Sequence, residues 1–453
     1  MRRQTQLPAL VVLALLCGSN LAPAAEFQPV VKWGCVSGGS FYKIQFGNTD
    51  LSADGRTIVS RAHSGNGWCE AFRWSADTGQ IEWLGHYDPI EPDEDHPSPW
   101  SMACATSTDG SIVAGSSLTG HYHPLGVGYE VQLISGFRWE NGTFTLLPRW
   151  MYTHHAYPLD MTADGSVAVG ALWEDEFRLF YMVEWVHAVR WVDGWPEDLG
   201  SLPLSPLFND DDAFALAVSA DGSVIVGQSG EIRDYWRPFV WINGKMYPLQ
   251  TLSSSSCPPS WTPDSASPYA SCNGVAGVSG DGSVAVGRLY DGANVVPVRW
   301  DTATQAPGPL PLLGDDTEGN ALDASHDGSM IVGRSGDRGA VWLESFGYFP
   351  ISLETLLRSV RLGDEIAGWE LPSVSMVSAD GKDIAGLGIN PEGEYWLWHA
   401  DLRNAQPNDA CAFAQWLGGG AVADTRVKTT LGSLRDATVD GASACEFEHG
   451  PDV

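Results

Sequence analysis

Leu216-Ala-Val-Ser-Ala-Asp-Gly-Ser-Val-Ile-Val-Gly227, carried on through Pro238-Phe-Val-Trp241 and Asn243-Gly244 to Leu249-Gln250, reads as four short strands joined by three turns. Its apolar runs are too short for helices and are rich in β-branched and aromatic side chains, which suit a pleated, half-buried surface. Asp221-Gly222 sits between two such runs, and Asn243-Gly244 between the next two. Both pairs mark tight turns, because Gly takes positive φ without steric cost. The stretch predicts one antiparallel four-stranded meander.

The unit recurs, and its period decides the architecture. Asp-Gly pairs begin at Asp54, Asp109, Asp164, Asp221, Asp281, Asp327 and Asp380, so successive spacings are 109 − 54 = 55, then 55, 57, 60, 46 and 53. Each pair lies within Ser/Thr-x-Asp-Gly, and a glycine closing the second strand follows at Gly115, Gly170, Gly227, Gly287, Gly333 and Gly386, with Ser60 in the first unit. Each unit then reaches a strand ending in tryptophan: Trp74, Trp139, Trp191, Trp241, Trp300, Trp342 and Trp398. Units of this size cannot bury both faces alone, so the expected fold is all-β, a seven-bladed β-propeller over residues 26–403. The seventh unit lacks a fourth strand after Trp398, and Pro29 to Trp33 is the expected substitute, closing the circle and removing two open sheet edges.

Ser-x-Asp-Gly-Ser-x-Val-x-Val-Gly followed by Ala/Pro-Phe-Arg-Trp resembles the HAF-type extracellular repeat family, over about residues 46 to 402. The last unit matches best, through Val377-Ser-Ala-Asp-Gly381 and Gly386-x-Gly-Ile-Asn-Pro391. The resemblance implies an extracellular repeat protein and is nearly silent on activity, since that family is defined by its repeat.

Outside the repeats, Met1 to Ala25 has the build of a signal peptide: Arg2 and Arg3, an apolar core from Leu7 to Leu16, and Ala22-Pro-Ala-Ala25. The expected product is secreted or periplasmic, with no membrane insertion. Formal net charge is −31, and −33 without Arg2 and Arg3, which argues against nucleic acid as a partner. Leu353 to Val360 has helical spacing, and residues 404–453 carry no repeat signal and form a C-terminal appendage. In an exported chain the cysteines lean towards disulfides. Cys257 with Cys272 brackets a Ser/Pro-rich insertion, Cys411 with Cys445 staples the tail, and two of Cys35, Cys69 and Cys104 pair, leaving one odd thiol.

If the Asp-Gly turns join strands one and two, they share one face. Loops between strands two and three, with the connections between units, then share the opposite face, where propeller ligand sites usually lie. Histidines concentrate there in the first three units, densest at His121 and His123 and at His154 and His155. At the position after the second-strand glycine stand Arg61, Arg288 and Arg334, and such a convergence suits a carboxylate or sulfate, which guanidinium binds in a bidentate fork. Trp68, Trp100, Trp150, Trp173 and Trp236 are candidate stacking platforms. Glu91-x-Asp-Glu-Asp95 and Asn209-Asp-Asp-Asp212 offer oxygens to Ca2+ but lack calcium-loop spacing, so no metal site or cofactor is expected. No Gly-x-Ser-x-Gly, His-Glu-x-x-His or phosphate-cradling loop is present.

These residues lead first to recognition of an extracellular, anionic polymer such as a polysaccharide. The catalytic alternative is a uronate-specific polysaccharide lyase, with His123 or His155 as base, Tyr122 or Tyr157 as acid and Arg61 or Arg334 neutralising the carboxylate. A protein-docking scaffold is the third reading.

Overall fold

The computed structural model describes residues 25–32, 49–65, 69–87, 100–122, 131–178, 181–203, 212–230, 236–253 and 272–403. The signal-peptide, tail, Cys35, Cys257, Cys411 and Cys445 expectations fall outside them.

In the fourth repeat the strands are Asp212–Val218, Val224–Gly230, Arg237–Ile242 and Lys245–Pro248, hydrogen-bonded in chain order. The Asp-Gly turn between the first two is self-sufficient in polar contacts. The Ser219 hydroxyl donates to Asp221 (2.8 Å) and accepts the Val224 N–H (3.0 Å), while the Ser223 N–H donates to the same carboxylate (2.9 Å). Gly222 sits at φ +76°, the left-handed region that other residues enter at a cost. The hydroxyl–carboxylate pair recurs in all seven repeats, from Ser52 with Asp54 to Ser378 with Asp380. Gly227 does not end its strand, which runs on to Gly230. A Cβ there would lie 2.1 Å from the Phe214 carbonyl, so this glycine permits close approach of the inner strand. That strand carries a bulge between Ala215 and Ala217.

The fold is an all-β propeller of four-stranded antiparallel blades. Five sheets have four strands and one has eight. Seven separate four-stranded blades were the expectation; five stand alone. In the second and third repeats a parallel bridge of His155 to Ile134 joins the two meanders into one sheet. These repeats also have the longest hairpins, Ile112–Tyr122 with Val131–Glu140 and Val167–Arg178 with Tyr181–Val192. The strand Glu26–Lys32 lies antiparallel to Tyr395–Asp401 as the outermost strand of its sheet, with Glu26 opposite Asp401.

Successive repeats pack face to face. Val59 and Ala71 of the first meet Val113, Phe137 and Trp139 of the second, and on the other side Ile58 and Trp74 meet Met376, Ala385 and Leu397 of the seventh. The seven strand-ending tryptophans are at most 8 % exposed. Three bond back to the preceding repeat through their indole N–H, Trp191 to the Pro148 carbonyl, Trp300 to Gln250 and Trp342 to Pro311, each at 2.8 Å. The Asp-Gly turns are linked in turn by backbone hydrogen bonds, Asp54 to Thr108, Thr108 to Ala163, Ala163 to Ala220, Ala220 to Gly280, Asp281 to His326, His326 to Ala379, and Ala379 back to Ala53.

A buried polar knot joins the last repeat to the first. Asp383, with no exposed side-chain surface, lies 3.1 Å from His399 Nε2 and 3.6 Å from Arg56, and Arg403 binds its other oxygen. Arg56 also meets Asp401 at 3.0 Å and Asp77 at 2.7 Å. The helix Leu353–Ser359 covers the sixth and seventh repeats with Leu353, Leu356 and Leu357. Its N-cap Ser352 accepts the Thr355 N–H. Among the described residues no helix is long and apolar enough to cross a membrane.

Candidate functional site

The face opposite the Asp-Gly turns is formed by the starts of the innermost strands, the ends of the second strands and the loops between them. The arginine set does not act as one group. Arg334 is paired with Glu318 at 3.0 Å and also donates to the Gly336 carbonyl, so its charge is already answered. Arg61, on the strand Thr57–His63, is in no ion pair, and its buried Nε has no hydrogen-bond partner among the described residues. Burial pushes its guanidinium pKa down, and the nearby Cys104 thiol opposes that shift. Cys104 is buried and free, with its own pKa raised to about 12, chiefly by burial. Arg288 stands at the equivalent position of the fifth repeat, half-buried opposite Gly274.

The aromatic candidates divide differently from expectation. Trp173 is 3 % and Trp236 6 % exposed, and both belong to the core between the third, fourth and fifth repeats. They are packing residues and not stacking platforms: Trp173 lies within the strand Val167–Arg178, and the Phe214 ring lies 4.8 Å from that of Trp236. Exposed apolar surface on this face lies at Met151 and Tyr152, beside the candidate Trp150 on the connection before the third repeat, and at Tyr395, at the start of the strand Tyr395–Asp401. The Trp150 ring meets His187 edge-on at 5.3 Å.

His155 and Tyr157 share the innermost strand of the third repeat, their rings 6.1 Å apart, and Tyr157 meets the edge of Trp173 at 6.0 Å. His154 is half-buried, and its backbone N–H bonds to the Trp173 carbonyl. His121 and Tyr122 fall at the end of the strand Ile112–Tyr122, while His123 and Trp68 lie outside the described residues. His86 Nδ1 is 3.8 Å from Glu70. Cys69 and Cys272 are disulfide-bonded. No group of three metal-ligating side chains occurs among the described residues.

Sequence reasoning passed over Asp50, Asp160 and Asp323. Each stands four residues before the aspartate of an Asp-Gly turn, where the other repeats have Ala105, Ala217, Gly277 and Met376. Aligning the repeats on their turns would have exposed this column. Their carboxyls lie on the innermost strands, half-buried, and each spans two repeats.

No protein-family model matches the chain, and no curated relative does. Solved structures are similar at low identity. An oligogalacturonate lyase in complex with manganese is 12 % identical, with a TM-score of 0.49 over 85 % of this chain and 99 % of that one. The Dos1 propeller is 10 % identical, with a TM-score of 0.42 over 84 % and 95 %. A prolyl endopeptidase is 13 % identical, with a TM-score of 0.42 over 68 % of this chain, which spans only 42 % of that enzyme's length.

Proposed function

We propose that this is a secreted propeller that binds an extracellular anionic polymer, such as a polysaccharide, on the face opposite the Asp-Gly turns. The observation that carries the reading is Arg61. A half-buried guanidinium with no ion pair among the described residues is costly in the free protein, and an acidic ligand group would remove that cost. Tyr152 and Met151 add exposed apolar area for sugar rings on the same face. Secretion, the Cys257–Cys272 and Cys411–Cys445 disulfides and the HAF-type kinship belong to the same proposal. So does a circle of seven blades, counting the eight-stranded sheet as two and taking Glu26–Lys32 as the closing strand.

The test is a panel of charged and neutral glycans. Arg61→Ala should weaken binding of carboxylated or sulfated glycans at least tenfold, whereas Arg334→Ala should leave it nearly unchanged, because Glu318 already holds that residue. Failure of the parent protein to bind any charged glycan defeats the proposal, and capture of a partner protein instead would favour a docking scaffold.

The lyase reading keeps one observation of its own, the placement of His155 and Tyr157 on one strand. Elimination of a uronate needs a base at C5 and an acid at the leaving oxygen, and these two side-chain types can supply them. Of its two carboxylate clamps, Arg334 is taken by Glu318 and Arg61 remains. Ultraviolet absorbance of an unsaturated product, lost in His155→Ala, is the distinguishing signal.

A further inference from the structure

We propose that Asn141 and Asn243, in the turns that lead into the outermost strands of the second and fourth repeats, are sites of spontaneous deamidation through which the folded ring ages.

The chain has three Asn-Gly bonds, Asn141-Gly142, Asn243-Gly244 and Asn273-Gly274. The first two are two-residue hairpin loops closed by the pairs Glu140 with Thr143 and Ile242 with Lys245. Both residues of each loop have positive φ, 51° and 79° in the second repeat and 53° and 80° in the fourth. This is the turn whose twist matches the flanking strands. It leaves all four loop residues exposed, and a Cβ at either glycine would meet nothing within 4 Å. Among the described residues neither asparagine amide, and neither of the following glycine N–H groups, is in a hydrogen bond.

That freedom is what the reaction needs. The Gly142 nitrogen, once its proton is lost to base, attacks the side-chain carbonyl carbon of Asn141. A bond forms from that nitrogen to Cγ, the bond from Cγ to Nδ2 breaks, and ammonia leaves carrying the proton. Water then opens the five-membered imide at either of its carbonyls, giving aspartate or isoaspartate. One water is consumed and one ammonia released, and each event adds one negative charge. Glycine suits the second position because no side chain shields its nitrogen.

The remaining candidates are held. In all seven Asp-Gly turns the glycine N–H donates to the Ser or Thr carbonyl three residues back, from Gly55 to Ser52 (2.8 Å) round to Gly381 to Ser378 (3.0 Å). The aspartate there is tied by the same Ser or Thr hydroxyl. Asn273 Oδ1 accepts the Tyr290 N–H (2.8 Å), and Gly274 is buried at the start of the strand Gly274–Val278.

The third repeat shows what each product does. Asp193-Gly194 fills the equivalent loop with φ of 50° and 79°, so an aspartate at 141 or 243 fits the turn. Isoaspartate instead inserts an extra backbone carbon into a loop whose register admits two ordinary residues. The four-residue outer strand that follows, Thr143–Leu146 or Lys245–Pro248, then loses its pairing. In the second repeat this uncovers Phe137, against which the Phe144 ring packs at 4.8 Å. Both loops share the face of the Asp-Gly turns, so this chemistry is independent of the glycan reading.

The test is to hold the full chain in mildly alkaline buffer and follow the amide-to-acid mass gain by peptide mapping. Asn141 and Asn243 should each convert roughly tenfold or more faster than Asn273, the margin that local opening of the inner strand imposes. In urea, where the fold is lost, the three rates should converge. If either site in the folded chain converts no faster than Asn273, the proposal is overturned. Asn141→Asp should keep the urea midpoint of the fresh parent, while parent aged to isoaspartate at 141 should unfold at lower urea. A midpoint lowered as far in Asn141→Asp would assign the loss to charge and overturn the role given to register.

Discussion

On the rim of Asp-Gly turns, seven copies of one device differ by fractions of an ångström, the hydroxyl–carboxylate distance running from 2.6 Å at Ser52 to 3.1 Å at Ser325. On the opposite rim repetition is partial: Ser117, Ser229 and Ser335 accept the Tyr87, Leu202 and Leu313 N–H groups, and the loops otherwise differ. One hairpin of the third repeat extends twelve residues on each strand where its counterpart in the fourth has seven and six, and an arginine is neutralised in one repeat and without an ion pair among the described residues in another. The first rim answers to the chain's own need to fold, a need every repeat shares. The second is free of that constraint, and there single-copy side chains can serve something outside the protein.

Substitutions can break this contrast. The largest loss should come from Asp383→Ala, which strands His399, Arg56 and Arg403 around a buried gap; about 3–5 kcal/mol of stability should vanish in urea titration. Gly222→Val should cost about 1–3 kcal/mol, since φ is +76° there and the new Cβ would sit 3.2 Å from Thr162 Cγ2. Glycan binding measured on the folded fraction of both variants should match the parent; selective loss of binding with normal stability would erase the division between rims. Arg334→Ala should cost at most about 1 kcal/mol, its partner Glu318 being well exposed. Tyr152→Ala should change stability by no more than about 0.5 kcal/mol while reducing retention on a glycan column. A stability loss as large as that of Gly222→Val would place Tyr152 with the folding machinery.

The same division explains what was legible. Ser-x-Asp-Gly announces the meander because its contacts are made within one repeat, as Ser219, Asp221 and Val224 show. The helix at Leu353–Ser359 was equally readable from its apolar spacing. Contacts between repeats were not. Trp173 and Trp236 look like loop aromatics until the third, fourth and fifth repeats close over them. Arg334 looks like Arg61 until Glu318, sixteen residues upstream, is brought beside it. The bridge of His155 to Ile134, which merges two meanders, leaves no trace in the spacing of turns. Asp50, Asp160 and Asp323 were visible only as a column, not as a motif, because each acts on a backbone group more than fifty residues away.

That column has an arithmetic of its own. A clip that spans two neighbours can tile an even circle completely and an odd one never, so three clips on seven inner strands leave one strand over. The remainder is the strand Gly274–Val278, where Gly277 offers no side chain at all. The run of clips thus has a seam, and it lies in a different repeat from the knot around Asp383, which ties the seventh repeat to the first. Fluctuations that open the inner edge should start there, and the Val278 amide should exchange with solvent before its six counterparts.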